Sequence, residues 1–197
     1  MTERGYPRPI GGGLHSFKKD IKVDGDCVEK VAVFEKVSQE RYVEMAVAEL
    51  KLSREEAEAS YNDILLPRRA TKGSAGYDFM APCEFTLAPN ESIKIPTGIR
   101  AKISEGWVLM LYPRSGLGIR FRLMLDNTVG VIDSDYYYSD NEGQIIAKLT
   151  NCTTEGKTLT VNKGTGFMQG VFTPFGITFD DDADGVRNGG FGSTTIR

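Results

Sequence analysis

Histidine is almost missing from this chain: His15 is the only one in 197 residues. A histidine-based triad or a histidine-rich metal centre is therefore not expected. Acid–base work is left to carboxylates and tyrosine, and any metal to oxygen ligands, which suits a hard cation. Cysteine is scarce as well. Cys27, Cys83 and Cys152 lie far apart and form no C-x-x-C pair. Such a set fits reduced thiols in a cytoplasmic protein better than a disulfide framework or a zinc site. No apolar run reaches the length of a membrane span, and the N-terminus has no apolar signal core. There is no basic excess either: the formal net charge is −3. Bulk electrostatics thus favour neither nucleic acid nor an anionic membrane as a partner.

What is present divides along the chain. Residues 1–26 are rich in Gly, Pro, Lys and Asp without a sustained period, and read as a flexible arm. Residues 27–60 read as a helical extension. Val43, Ala46, Val47 and Leu50 follow i, i+3, i+4, i+7 spacing, which predicts one apolar helix face. "SREE" supplies Ser53 and Glu56 as a capping box for a second short helix. Two short helices bury too little to fold alone, so they are expected to form an accessory layer or a surface for a protein partner within residues 1–60. Residues 61–179 change to β texture. Ile93, Ile95, Ile99, Ala101 and Ile103 alternate with mostly polar neighbours. "GWVLMLY", "RFRLML", "QIIAKL", "TLTV" and "FMQGVF" follow as short apolar runs separated by turn residues. The expected class is all-β, a sandwich, jelly roll or barrel. "DDDADG" ends the strands as a charged, solvated linker. Residues 180–197 then read as a mobile arm ending in "RNGGFGSTTIR".

Five stretches carry polar chemistry. "SAGYDF" sets Gly76 and Asp78 at a turn into a strand, which alone is also what an ordinary β-turn shows. "YPRSGLG" offers the planar donor fork of Arg114, the Ser115 hydroxyl, and glycines at 116 and 118. Together these form an anion cradle, although the P-loop spacing is absent. In "DNTVGVIDSDYYYSD" the Asp133 carboxylate follows apolar Val129, Val131 and Ile132. Partial desolvation there suits a general base; the alternative is an acidic hairpin turn with edge-strand tyrosines. "GTGFMQGVF" places the Gln169 amide in an apolar run, where it must find partners. The tail surrounds Phe191 with glycines and hydroxyl residues.

In this order and spacing the five stretches resemble the five motifs of the all-β dUTP pyrophosphatases (dUTPases), over roughly residues 61–197. The resemblance implies a distorted jelly-roll or β-barrel of the dUTPase-like (β-clip) type and a homotrimer with sites shared between subunits. It implies Mg²⁺-dependent cleavage of dUTP to dUMP and pyrophosphate, which keeps uracil out of DNA and supplies dUMP for thymidylate synthesis. Asp133 matches the aspartate that activates water for attack on the α-phosphate. Tyr136 matches the tyrosine under the deoxyribose, and Asn127 the asparagine at the uracil edge. Val131 lies in the same base-reading hairpin. Arg114, Ser115, Gly116 and Gln169 match phosphate-contacting positions. Asp78 matches an aspartate that touches Mg²⁺ through water, the metal being held mainly by the phosphates. In the tail, Phe191 would stack on uracil. Arg187, Ser193 and Thr194 would reach the γ-phosphate, and Gly192 would let the main chain wrap closely.

The chain departs from the family pattern at three places. "YYSDNEGQ" after Tyr136 is several residues longer than the usual turn. The fourth motif keeps only its glutamine, and Thr195 replaces a final glycine. Two other functions were weighed on the same fold. A dCTP deaminase is disfavoured because Lys148 stands where that family needs a glutamate. A non-catalytic regulatory protein is disfavoured by the retention of Asp133, Arg114, Tyr136 and Phe191.

Overall fold

The computed structural model describes residues 28–185, 187 and 189. Twelve strands in chain order are β1 (Ala32–Lys36), β2 (Arg68–Arg69), β3 (Tyr77–Met80), β4 (Phe85–Leu87), β5 (Ser92–Pro96) and β6 (Ile99–Ile103), then β7 (Trp107–Pro113), β8 (Leu123–Leu125), β9 (Gly130–Ile132), β10 (Ile146–Asn151), β11 (Leu159–Val161) and β12 (Gly166–Pro174). The helices are α1 (Gln39–Leu50), α2 (Arg54–Asp63) and α3 (Ser115–Phe121). Strands pair antiparallel in four small sheets, ordered β1-β6, β5-β10-β8, β11-β4 and β2-β3-β12-β7-β9. The expected all-β jelly-roll class is therefore observed. No described helix is long and apolar enough to cross a membrane.

The alternation read at residues 92–103 explains the core. Ile95, Ile99, Ala101 and Ile103 are buried. Pro96, Thr97 and Gly98 break the run, so it folds as two strands rather than one. Phe79, Leu109, Leu111, Leu149, Phe167 and Met168 fill the same interior. "RFRLML" behaves differently from its apolar texture. Phe121 ends α3, Arg122 turns in the left-handed region at φ 49°, and only Leu123–Leu125 is strand.

The helical extension needs correction. It opens with β1, which pairs with β6 from Ala32↔Ile103 to Lys36↔Ile99. The compact unit begins at Val31 and includes both helices. The strand hid in the sequence because "AVFEK" is short and mixed in burial, with no clean alternation. The helix face is also shifted. Tyr42, Val43 and Ala46 are buried, whereas Val47 is 40% exposed. The capping box forms as expected: the Glu56 N–H donates to Ser53 Oγ at 3.2 Å, and the Ser53 N–H donates to Glu56 Oε2 at 2.8 Å.

A buried relay ties the helices to the strands. Ser60 Oγ donates to the Pro82 carbonyl at 2.8 Å, so the Tyr42 hydroxyl, 2.8 Å away, is left to donate to Ser60. Burial pushes the Tyr42 phenol up to about 12, which keeps it a neutral donor. Beside it Gly98 sits at φ 69°, and a Cβ there would lie 2.4 Å from Ile64 Cδ1. Left-handed strain and overpacking then add, so Gly98→Ala should destabilise the fold by about 2 kcal/mol or more. Urea unfolding measures this, and an unchanged midpoint would disprove the close docking of helices on barrel.

Candidate active site

β12 lies between β3 and β7, and this pairing brings three distant stretches together. Gln169 is in register with Asp78 on one side and Tyr112 on the other. Arg114 follows directly from β7 and caps α3. Its Nε lies 3.2 Å from Asp78 Oδ1. Two glycines make room for this cluster. A Cβ at Gly166 would stand 2.7 Å from Arg114 Nη1, and one at Gly76 would stand 2.5 Å from Gln169 Oε1. Gln169 is half-buried, not fully buried, and its Nε2 reaches the Pro113 carbonyl only at 3.5 Å.

Ser115 and Gly116 are exposed on the first turn of α3, and "PRSGLG" is thus a helix start rather than an open loop. The first bond of the turn runs from the Leu117 N–H to the Arg114 carbonyl at 3.0 Å, so the Ser115 and Gly116 N–H groups ahead of it keep the anion-cradle chemistry. Among the described residues, a Cβ at Gly116 would meet only Arg120 Nη2, at 3.9 Å. The side chains of Arg114 and Asp78 are 43% and 15% exposed, so the cationic fork faces outward over a sheltered carboxylate.

A second cluster surrounds Asp133. It caps a 3₁₀ turn, Ser134–Tyr138, so the three tyrosines are not edge-strand residues. The Tyr136 ring is buried. Its hydroxyl donates to the Gln144 carbonyl at 2.8 Å, and Asn141 Nδ2 donates back to that hydroxyl at 2.8 Å. Arg187 grips both acidic groups, with Nη2 2.5 Å from Asp133 Oδ2 and Nε 2.9 Å from Asp135 Oδ1. Its guanidinium lies 5.9 Å from the Tyr136 ring centre. Burial raises the Asp133 pKa above the ordinary aspartate value, and the nearby Asp135 charge adds to this. Arg187 pulls the other way without cancelling it. The resemblance directs Arg187 to a phosphate, whereas here it rests on its own chain's Asp133.

Asn127 lies in the turn between β8 and β9, two strands of different sheets, Val131 lies on β9, and both are exposed. The Asn127 carbonyl accepts from the Val129 N–H at 2.7 Å. β9 ends its sheet, so one side of its backbone has no neighbouring strand. Phe191, Gly192, Ser193 and Thr194 lie outside the described residues. Lys148, the residue set against a deaminase, is 2.9 Å from Asp126 Oδ2. The residues overlooked in the sequence are supporting ones: Asn141 and Gln144, which hold Tyr136, and Asp135, which shares Arg187. For Asn141 and Gln144 the signal was the unusual length of "YYSDNEGQ"; Asp135 had none.

The two clusters do not meet within one chain. Asp133 follows Ile132, which is opposite Leu109 near the start of β7, while Arg114 follows the end of β7. Five to six residues of strand separate them by roughly 20 Å. Cavities of about 130 Å³ and about 510 Å³ occur elsewhere, and no predicted site residue lines either. Among the described residues no three His, Cys, Asp or Glu side chains form a metal cage. The Asp78 carboxylate beside Arg114 is an oxygen donor of the type a hard cation takes.

Known proteins of one family resemble this chain. A profile of the dUTPase family matches residues 62–195. The deoxyuridine 5'-triphosphate nucleotidohydrolase of Lactococcus lactis subsp. lactis (strain IL1403) is 43% identical over 134 residues, covering 66% of this chain and 88% of that protein. That of Hahella chejuensis (strain KCTC 2396) is 42% identical over 141 residues, covering 68% and 88%. The crystal structure of dUTPase from Streptococcus mutans superposes with a TM-score of 0.54 at 33% identity, covering 74% of this chain and 97% of that one.

The charge balance at Asp133 is directly measurable. Carbon NMR titration should place the Asp133 midpoint above the ordinary aspartate range, and Arg187→Ala should raise it further, because the guanidinium is what lowers it. A midpoint that falls in the variant would reverse the assigned sign.

Proposed function

The chain belongs to the dUTPase family, and on that premise we propose that it hydrolyses dUTP to dUMP and pyrophosphate with Asp133 as general base. The observation that carries the reading is the half-buried Asp133 carboxylate, with raised pKa, beside the sealed Tyr136 ring. A base tuned upward toward the operating pH retains more drive to take a proton. The oxygen of a water held by Asp133 bonds to the α-phosphorus as the α–β bridging bond breaks. The water's proton passes to Asp133, and pyrophosphate leaves. Arg114, Ser115, Gly116 and Gln169 bind the triphosphate. Asn127 and Val131 face the base, and the Tyr136 ring leaves no room for a 2′-hydroxyl. Asp78 would reach the water shell of a phosphate-bound Mg²⁺, which would neutralise phosphate charge there. In the tail, Arg187, Ser193 and Thr194 reach the γ-phosphate, Phe191 covers the base, and Gly192 permits close approach. Arg187 leaves Asp133 as the nucleotide arrives.

The separation along β7 supports a homotrimer in which Arg114 of one subunit serves Asp133 of another. Pyrophosphate release should be seen with dUTP and not with dCTP, dTTP or UTP. Asp133→Asn should lower kcat by about 10³-fold or more with little change in KM, as for a group acting in the transition state. Unchanged turnover in that variant would exclude Asp133 as the base.

Shared sites make a sharper prediction. Arg114→Ala and Asp133→Asn chains should each be inactive alone. Unfolded together and refolded as mixed trimers, they should regain activity, because some sites then combine an intact Arg114 with an intact Asp133. No regain would mean that each site is built by a single chain. Deleting residues 187–197 should leave the trimer intact by light scattering but cripple turnover.

A further inference from the structure

We infer that the β1–α1 segment, outside the family match at residues 62–195, is a positioning element that holds the Tyr136 turn in shape for substrate selection. This rests on the dUTP reading of Tyr136 given above. Four bonds cross from the segment to the long turn after Tyr136, one of them from Arg41 Nη2 to the Asp140 carbonyl at 3.4 Å. The Ser38 N–H and Oγ both donate to the Glu142 carboxylate, at 2.7 and 2.6 Å. The Tyr137 hydroxyl donates to Glu35 Oε2 at 2.7 Å. Arg100 completes that contact, with Nη2 3.0 Å from Glu35 and its guanidinium 4.4 Å from the Tyr137 ring centre.

The anchor at Glu142 is well placed electrostatically. Ser38 is the N-cap of the twelve-residue α1, so the carboxylate meets the positive end of a helix. The same bonds lower the Glu142 pKa. They also hold a strained backbone, since Glu142 is at φ 59° without being glycine. The next residue, Gly143, packs against the turn so closely that a Cβ would stand 2.7 Å from Tyr137 Cα and 2.8 Å from the Tyr136 carbonyl oxygen. Asn141 then joins loop to site: its Oδ1 accepts from the Gly143 N–H at 3.1 Å, while its Nδ2 donates to the Tyr136 hydroxyl. The path from Ser38 to the Tyr136 ring is therefore continuous, and every step is a hydrogen bond or a backbone contact. The added strand and helix and the added turn residues brace each other.

Glu142→Ala tests this in the full chain. Amide exchange across residues 137–143 should quicken by on the order of tenfold, the loss expected for bonds to a charged acceptor. With dUTP, KM should rise about fivefold while kcat stays within about twofold, and the preference for dUTP over UTP should fall on the order of tenfold. Glu142→Gln keeps one acceptor for Ser38 and should recover part of each change. Faster exchange with unaltered KM and unaltered preference would overturn the positioning role. Unaltered exchange would overturn the anchor itself. Failure of the wild-type chain to hydrolyse dUTP would instead remove the functional reading, and the exchange comparison would still decide the anchor.

Discussion

The backbone pairing of β12 with β3 and β7 is the constraint on which the polar chemistry depends. Gln169, Asp78 and Arg114 are separated by tens of residues, yet the register sets them within one patch. A slip of one residue would turn the Gln169 side chain to the other face of the sheet. The buried neighbours Met168 and Phe167 resist such a slip, because it would expose apolar surface to water. Packing of the core thus fixes the position of a charged site that contributes little to the core.

The same sheet also keeps its two charged clusters apart. β7 places an outward cation at one end and a half-buried carboxylate at the other. Were Arg114 beside Asp133 in one chain, the two would form a strong pair, and the carboxylate would lose its basicity. Spacing them along a strand preserves both properties. Arg187 shows the opposite case, a cation resting on Asp133 that lowers its pKa.

Much of this was legible in the sequence, for reasons that differ by element. Alternation at residues 92–103 was readable because one strand face is buried. The capping box was readable because its chemistry is local to four residues. "YPRSGLG" carried the right residue types, but its helix was hidden by two glycines, which weaken helix propensity. β1 was hidden because edge pairing on one side leaves a mixed burial pattern. The face of α1 was misread by one position, since Tyr42 is drawn inward by a hydrogen bond to Ser60 that no periodicity encodes. The residues behind Tyr136 were invisible for a similar reason. Asn141, Glu142 and Gln144 read as a polar turn, and only three-dimensional contact shows that each has a partner elsewhere.

This last point bears on how the fold carries its added parts. A long turn beside a binding residue costs order, because each extra residue adds freedom that the site must suppress. The chain meets that cost with elements outside the family core. Ser38 ends a loop and begins a helix, so its N–H and hydroxyl are both near the helix end when Glu142 arrives. Glu35 sits on a strand fixed by five paired residues, which gives Tyr137 a rigid acceptor. Each addition supports the other: Glu142 ties the turn to Ser38, and the Tyr137 ring covers Arg100 and bonds to Glu35. The extension and the turn are therefore better understood as one structural unit, built across 100 residues of sequence separation, than as two independent departures from the family pattern.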